Sequence, residues 1–284
     1  MDQNQCTIVR IGIMKCTGVL QLSAAKKRQK TIISSCYHEG ALKVSRPIYL
    51  EKDLPFLYLI HVGGGYVDGD VYLTNLNVEE EAELAVTTQS ATKVYKTPKK
   101  PVVQQTNIHL KKGSVLEYLP DPLIAYKGAR FIQDTTVHIE EDSGFLYSDV
   151  ITPGWAEDGS LFPYDWIRSK LKVYKKDRLV LFDHLRLEPD EDMSGMLQMD
   201  GYTHIGTFLI FHQKADKTFL DRLYDEMEAF DSDVRFGMTS LPASGIILRI
   251  LARSTGIIEN MISRAHSFAR RELLGKNGVA WRKY

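Results

Sequence analysis

Short runs of β-branched and aromatic residues, separated by glycine, aspartate and proline, dominate most of this chain. Such residues suit a pleated, half-buried sheet surface, and the turn residues interrupt them about every ten positions. The pattern predicts a mainly β fold. The clear strand candidates are Phe56–Val62, Leu84–Thr88, Val102–Leu110, Phe131–Ile139, Phe145–Ile151, Trp166–Tyr174, Arg178–Leu187 and Tyr202–His212.

Two segments of the C-terminal third change to helical spacing. Apolar residues recur every three or four positions in Asp216–Phe230 and in Thr255–Leu274. Asp216 is a predicted N-cap, and Gly275 is placed to end the second helix. Between them, Val234–Thr239 and Gly245–Ala252 are predicted strands.

The chain has 284 residues, a length that suits either one large domain or two small ones, and no low-complexity linker divides it. We expect a single domain over 1–284, with a β-rich body at about 1–213 and a helix-bearing part at about 214–284. The candidate strand Arg178–Leu187 carries apolar residues on both faces, which indicates layered packing. Residues 188–200 are acidic and rich in turn formers, which predicts a surface loop.

Charge and cysteine content narrow the function classes. Lys plus Arg and Asp plus Glu both total 36, a balance that disfavours a nucleic-acid binder. The three cysteines lie within the first 36 residues and do not suggest a disulfide framework. We find neither a signal-peptide pattern nor an apolar run of about 18 residues, so the chain is expected to be cytoplasmic, without a membrane span.

The glycine-rich run His61–Asp70 (HVGGGYVDGD) lacks the Gly-Lys-Ser/Thr ending of a phosphate loop. One interpretation is a tight connection between strands, with glycines at positive φ and Asp68-Gly69 forming a hairpin turn. The other is that Asp68, Asp70 and His61 transiently bind a divalent cation. The residues alone leave both open.

Other catalytic and metal signatures are weak. Cys36 and His38 share one face of a candidate strand, which more often is an ordinary surface than a ligand pair. Ser90 and Ser244 lack a Gly-x-Ser-x-Gly elbow. Carboxylate pairs for glycoside hydrolysis depend on the folded distance, so a carbohydrate-active β-rich enzyme stays an alternative. An unrelated protein-interaction module is another.

Three polar segments are not explained by a core and its turns. They are Thr87–Pro98 (TTQSATKVYKTP), Leu116–Tyr126 (LEYLPDPLIAY) and Thr152–Phe162 (TPGWAEDGSLF). Tryptophan, tyrosine and charged residues beside apolar ones are typical of protein interfaces, although ordinary β-rich surfaces carry them too.

Together with the glycine-rich run, these segments resemble, in order, the motif series of the UreD (UreH) family of urease accessory proteins. The resemblance is strong over about residues 40–165, where four ordered motifs are specific although each alone is weak. Trp155 replaces a frequent arginine, and Ser160 stands where glutamate is common. A role that rests on that glutamate requires Glu157 or Asp158 to substitute for it. The matching positions are Gly63, Gly64, Gly69, Asp70, Thr87, Thr88, Ala91, Lys93, Tyr95, Leu116, Glu117, Leu119, Pro120, Ile124, Tyr126, Gly154, Gly159 and Phe162.

The resemblance implies a β-rich fold with helical-like stacking of strands and two helices. It also implies a non-catalytic scaffold that binds apo-urease and the accessory protein UreF, which holds the GTPase UreG. No tightly bound cofactor is expected, and a homodimer within the complex is a further expectation. Nickel would pass through a polar interior, where Asp70, Glu117 and Asp121 are the predicted weak, transient ligands. For Asp70 and Asp121, hydrogen bonding to turn amides is an equal alternative.

Overall fold

The computed structural model describes residues 16–189, 199–230 and 233–279. Strands dominate these ranges, and two α-helices lie in the C-terminal third. The strands are β1 (Gly18–Lys27), β2 (Lys30–Gly40), β3 (Leu42–Val44), β4 (Phe56–His61), β5 (Val71–Val78), β6 (Glu83–Thr88), β7 (Thr92–Val94), β8 (Val102–Leu110), β9 (Val115–Leu119), β10 (Leu123–Ala125), β11 (Arg130–Ile139), β12 (Gly144–Ile151), β13 (Trp166–Lys175), β14 (Arg178–Leu187), β15 (His204–Phe211), β16 (Val234–Leu241) and β17 (Gly245–Ala252).

The strands form two sheets whose inner faces share one apolar core. One sheet has seven strands in the order β14-β13-β11-β8-β5-β1-β2. The other has the path β16-β17-β15-β12-β9-β6-β4-β3, with β7 and β10 joined beside β12. From β4 to β13 the chain mostly alternates between the sheets and adds each strand parallel to an earlier one, as in a solenoid. The predicted mainly β fold with stacked strands is confirmed.

The two helices, α1 (Lys217–Glu228) and α2 (Thr255–Ala269), cover the outer face of the second sheet with a separate apolar cluster. Asp216 caps α1 as predicted, because its side chain accepts a hydrogen bond from the Phe219 amide. The second predicted helix is also confirmed, although it finishes in a π-helical turn, Arg270–Leu274. Gly275 then ends it at a φ of 65°.

Gly206 of β15 allows α2 to approach the sheet closely. A Cβ atom at this position would lie 2.5 Å from the Cγ2 atom of Ile258, which is far inside van der Waals contact. The glycine therefore sets the distance between β15 and α2.

The glycine-rich run connects the two sheets. Gly63, Gly64 and Gly69 have positive φ, as predicted. The alternative of an Asp-Gly hairpin is wrong, because β4 and β5 belong to different sheets and the run crosses between them. Strands β1, β5 and β9, and β2 apart from residues 36–38, were not predicted, since alanine, lysine, asparagine or a glutamate dilutes their β-forming residues. The three-residue strands β3, β7 and β10 were not predicted either, because they are too short to show a pattern.

Some predictions fall outside the described ranges. Most of the predicted acidic loop 188–200 does so, as does Cys6. Among the described helices, none combines the length and the apolar character that crossing a bilayer requires.

A buried ion cluster ties the end of α2 to the second sheet. Glu117 of β9 accepts two hydrogen bonds from Arg270 Nη1, at 2.6 and 2.8 Å, and one from His266 Nε2 at 2.5 Å. Glu117, His266 and Arg270 are each at most 2% exposed. Arg270 also pairs with Glu51 and donates to the Asn277 carbonyl. Burial raises the pKa of Glu117, but the bonds and charges of His266 and Arg270 outweigh burial and lower it overall.

Removing one partner of this cluster leaves a buried charge without its counterion. We expect Glu117→Ala to lower the free energy of unfolding by about 3–5 kcal/mol, as for other broken buried pairs. The control Glu140→Ala removes an exposed pair with Lys111 and should cost at most about 1 kcal/mol. Urea denaturation measures both changes, and equal losses would contradict the role assigned to Glu117.

The same cluster predicts a pH dependence. The folded pKa of Glu117 lies below its ordinary value of 4.5, so its contribution is complete above that value and is lost as the pH falls through the folded pKa. Wild-type stability should therefore drop more steeply below about pH 4.5 than that of Glu117→Ala.

Candidate functional site

The inner face of the seven-stranded sheet carries two adjacent rows of polar side chains between apolar layers. Parallel pairing places Thr74, Thr106 and Thr135 side by side on β5, β8 and β11. The next row contains Tyr72, Gln104, Gln133 and Ser169. Opposite these rows, the second sheet contributes Tyr118, Tyr147 and Asp149. We call these ten residues the polar belt.

A cavity of about 170 Å³ lies between the sheets along the polar belt. Nine of the ten belt residues line it, Ser169 excepted. A cavity of this size and polarity has room for several water molecules with hydrogen-bond partners. Its mouth is lined by His61, Gly64, Gly65, Tyr66, Thr88, Ser90, Ala91, Lys93, Pro120 and Asp121, among others.

Asp149 is the carboxylate of the belt. Its Oδ2 atom accepts hydrogen bonds from Gln133 Nε2 at 3.1 Å and from Ser169 Oγ at 3.4 Å. Burial raises its pKa, and the bond from Gln133, the charge of Arg249 and the bond from Ser169 offset that effect only in part. Because the anionic form is poorly solvated, a cation that entered the cavity would be attracted to this group.

The tyrosines of the belt are neutral hydroxyl groups at physiological pH. Burial raises the pKa values of Tyr118 and Tyr147 above their already high ordinary values. Their oxygens can hydrate or weakly ligate an ion without carrying a charge. The belt therefore combines neutral oxygens with one carboxylate.

Asp70 organises the mouth through three hydrogen bonds. Its carboxylate accepts from Thr17 Oγ1 at 2.9 Å, from the Val67 amide at 2.8 Å and from Tyr72 OH at 2.8 Å. The Tyr72 hydroxyl also lies 3.0 Å from His61 Nε2. Burial lowers the pKa of His61, which favours a neutral imidazole there. Asp70 thus holds the glycine-rich run against β1 and β5.

Two other predicted aspartates also anchor backbone. Asp121 lies at the mouth, where its Oδ2 atom accepts from Thr88 Oγ1 at 2.9 Å and its amide donates to the same hydroxyl at 2.7 Å. Asp68 accepts from the Lys99 and Lys100 amides at 2.8 and 2.9 Å. These contacts fit the alternative that the aspartates hydrogen-bond to turns. Asp121 lines the cavity, and Asp68 does not.

Glu117, the third predicted nickel ligand, lies elsewhere. Alternate residues of a strand face opposite sides, so Tyr118 points to the belt and Glu117 to α2. Asp149 was not among the residues predicted from the sequence. Its signal was available, because Asp149 shares a strand face with Tyr147 and Phe145 in the predicted strand and is a carboxylate at an inward position.

Three aromatic side chains form a ladder on the surface beside the mouth. Ring centroids are 4.7 Å apart between Tyr95 and Tyr126 and 5.0 Å apart between Tyr126 and Trp155. Successive turns of the chain stack here, and Gly154 permits the contact because a Cβ atom would lie 2.3 Å from the Ala125 carbonyl oxygen. We call Tyr95, Tyr126 and Trp155 the aromatic ladder.

The aromatic ladder belongs to a wider exposed apolar surface. Trp155 is 51% exposed, and Val62, Val67 and Leu161 on neighbouring loops are at least 50% exposed. Ser160, which stands where glutamate is common in the family, donates its hydroxyl to Asp158 Oδ1 at 2.6 Å. Exposed aromatic and apolar residues of this kind typically mark protein-interaction sites.

Within the described ranges, no group of three or more His, Cys, Asp or Glu residues is arranged to hold a metal ion. Cys36 and His38 are exposed on β2. Burial raises the pKa of the Cys36 thiol, which disfavours the thiolate that binds metals. His38 Nδ1 lies 3.3 Å from Lys43 Nζ.

Comparisons with known proteins give one family. The family model described as UreD urease accessory protein matches residues 16–283. A urease accessory protein UreD of Bacillus sp. (strain TB-90) is 98% identical over 271 residues, covering 95% of this chain and all of that protein. Proteins of the same name from Lachnoclostridium phytofermentans and Staphylococcus epidermidis are 43% and 38% identical, each covering 94% of this chain and 98% of the relative.

The three bonds to Asp70 predict a stability effect. Asp70→Asn keeps the shape but replaces one acceptor oxygen with a donor, which faces the donors of Val67 and Tyr72. We expect the free energy of unfolding to fall by about 1–3 kcal/mol, measured by urea denaturation. The control Asp142→Asn alters an exposed loop residue at a φ of 57°, which asparagine tolerates, and should be nearly neutral. An Asp70 variant as stable as this control would show that the bonds do not anchor the mouth.

Proposed function

The chain belongs to the UreD family of urease accessory proteins, and we propose that it is a non-catalytic scaffold which passes nickel towards apo-urease through its polar belt. A role in urease maturation follows from the family. The proposed scaffold binds apo-urease and UreF, and UreF in turn carries the nickel-supplying GTPase UreG.

The observation that carries this proposal is the enclosed polar belt itself. A β-sandwich core is normally apolar, and placing ten polar side chains between the sheets, seven of them buried, costs free energy unless they are hydrogen-bonded or hydrated. Here the polar rows surround a cavity that opens among the family-motif residues Thr88, Lys93 and Pro120. A hydrated path for an ion explains why these positions are not filled by valine or leucine.

The chemistry of the belt suits transfer better than storage. Amide, hydroxyl and single carboxylate oxygens are weak ligands for nickel compared with clustered imidazole or thiolate groups. An ion that is to move on must bind weakly enough to leave. Lys93 at the mouth opposes entry of a cation, whereas Asp121 at the mouth and Asp149 inside favour it.

We assign the aromatic ladder and its apolar surroundings to the docking of one of the two protein partners. One end of the ladder lies beside the cavity mouth, because Tyr95 donates to the Gly64 carbonyl at 3.3 Å. A partner bound there would be placed to deliver nickel into the belt or to receive it. Tyrosine and tryptophan give large contact area at low entropy cost, which is why they dominate the energetics of many interfaces.

The passage can be tested without changing its shape. In Thr106→Val/Thr135→Val, two hydroxyl groups of the belt become methyl groups, so an ion meets an apolar constriction. We expect urease activation at limiting nickel, in cells co-expressing urease and the other accessory proteins, to fall by about tenfold, since one poorly compensated polar contact is worth about 1–3 kcal/mol.

The matched control is Thr136→Val, which changes the outward-facing neighbour on the same strand. It should leave activation unchanged, and all variants should unfold at similar urea concentrations. Normal activation by the double variant would exclude the belt as the path. Normal activation without any copy of this chain would reject the maturation role altogether.

The docking surface gives a second test. We expect Trp155→Ala to weaken the affinity for UreF or for apo-urease by at least about 2 kcal/mol, as for a central interface aromatic. Copurification of that partner should fall accordingly. The control Tyr224→Ala removes a tyrosine of α1 that is 43% exposed on another surface and should bind both partners normally. If the Trp155 variant retains both partners at wild-type affinity, the aromatic ladder is not the docking surface.

A further inference from the structure

Strand β14 is an edge strand of the seven-stranded sheet, and β13 is its partner there. It is ten residues long, and no described segment pairs with its outer side. Leu179 and Phe182 are 45% and 56% exposed. A long, apolar edge strand offers a row of backbone donors and acceptors to any extended chain.

The second sheet extends beyond this edge. Arg249 of β17 pairs with Asp183 of β14 across the sandwich, and β16 lies one strand further out. Gly237 of β16 is in register with Arg249, so Gly237 and Thr239 face the space beside β14. Both are exposed, and a Cβ atom at Gly237 would meet nothing within 4 Å.

The sandwich therefore has a position for one more strand. We call it the notch: the outer edge of β14 together with the inward face of β16. The opposite edge strand, β2, differs from β14. Both edge ladders carry a bulge, so the bulge does not distinguish them. The exposed part of β2, residues 34–40, is largely polar and ends in Glu39 and a glycine. Polar edges of this kind resist pairing, whereas β14 exposes two large apolar side chains.

The outer face around the notch is basic. Register pairs Arg168, Lys170 and Lys172 of β13 with Arg186, His184 and Phe182 of β14. Two carboxylates offset part of this charge, because Glu188 pairs with both arginines and Asp134 with Lys172. An added strand would place every second side chain on this face, next to His184 and Arg186 of β14 and about 10 Å from the cations of β13.

The inner side of the notch carries two leucines beside the Asp183–Arg249 ion pair, and it is sterically open at Gly237. Leu181 and Leu185 of β14 are partly buried against the core, and they face the same side as Asp183. Alternate side chains of an added strand would lie between these leucines and the small residues Gly237 and Thr239. Small apolar residues fit there.

We propose that the notch binds an extended acidic segment of a partner protein, which adds an eighth strand to the seven-stranded sheet through backbone hydrogen bonds with β14. Its acidic side chains face the cations of β13 and β14, and its apolar side chains face Leu181 and Leu185. This is strand addition, in which the backbone supplies affinity and alternate side chains supply specificity. The proposal does not depend on nickel passage.

A synthetic ten-residue peptide that alternates glutamate and valine tests the proposal with the purified full chain. Fluorescence anisotropy should detect binding that weakens as salt is raised, because part of the attraction is between charges. The lysine–valine counterpart should bind at least about tenfold more weakly. Two further peptides carry N-methyl groups at either the odd or the even positions. One of them should lose binding and the other should keep it, since only one set of amides faces β14.

Variants of the chain locate the site. Phe182→Ala and Lys170→Glu should each weaken binding of the glutamate–valine peptide by about tenfold. The matched controls on α1, Tyr224→Ala and Lys217→Glu, should bind as the wild type does. Urea denaturation checks that every variant is folded.

Four outcomes overturn the proposal. The first is equal binding of both N-methylated peptides or no effect of Phe182→Ala and Lys170→Glu. The second is a wild-type dimer, seen by sedimentation and abolished by Phe182→Ala, which would assign the notch to a second copy. The third is tighter binding of a single-stranded RNA with the same mutational sensitivity. The fourth is peptide binding that appears only when residues 190–198 are replaced by glycine and serine. This result would mean that a segment of the same chain, and not a partner, occupies the notch.

Discussion

In-register parallel pairing of β5, β8, β11 and β13 is the constraint on which the rest of this structure depends. Each turn of the chain places a residue directly beside its counterpart in the neighbouring strand, so side chains of one kind align into rows. The threonine row of the polar belt arises in this way. On the outer face, the same pairing stacks His109 on His138 with ring centroids 4.9 Å apart. A register shift of one residue would move every row to the other face.

The molecule contains two kinds of buried polarity with different consequences. Around Glu117, a guanidinium and an imidazole satisfy the carboxylate directly, which makes the cluster a closed link between α2 and the sheet. Asp149 instead has two neutral partners and an adjacent cavity. Burial raises the pKa of Asp149, whereas the cations lower that of Glu117. The first arrangement stabilises the fold, and the second leaves a carboxylate beside open space, as the proposed nickel passage requires.

The two proposed interaction surfaces lie on different parts of the sandwich. The aromatic ladder lies beside the cavity mouth, where Tyr95 donates to the Gly64 carbonyl. The notch lies beside β14, where the seven-stranded sheet ends and Asp183 meets Arg249. The proposed scaffold would use two such surfaces to join two proteins. The belt residues lie in the interior of the same sandwich.

Local patterns in the sequence determined the strands from β-branched and aromatic runs, both helices from their apolar spacing, and the caps at Asp216 and Gly275. These features depend on contacts within a few residues. The polar interior depends on which side of each strand faces the other sheet, and sheets formed by distant segments decide that. Glu117 was therefore predicted as a nickel ligand although it faces α2, and the inward Asp149 was not predicted. Only the packing of the two sheets separates these carboxylates, because strand neighbours alternate sides.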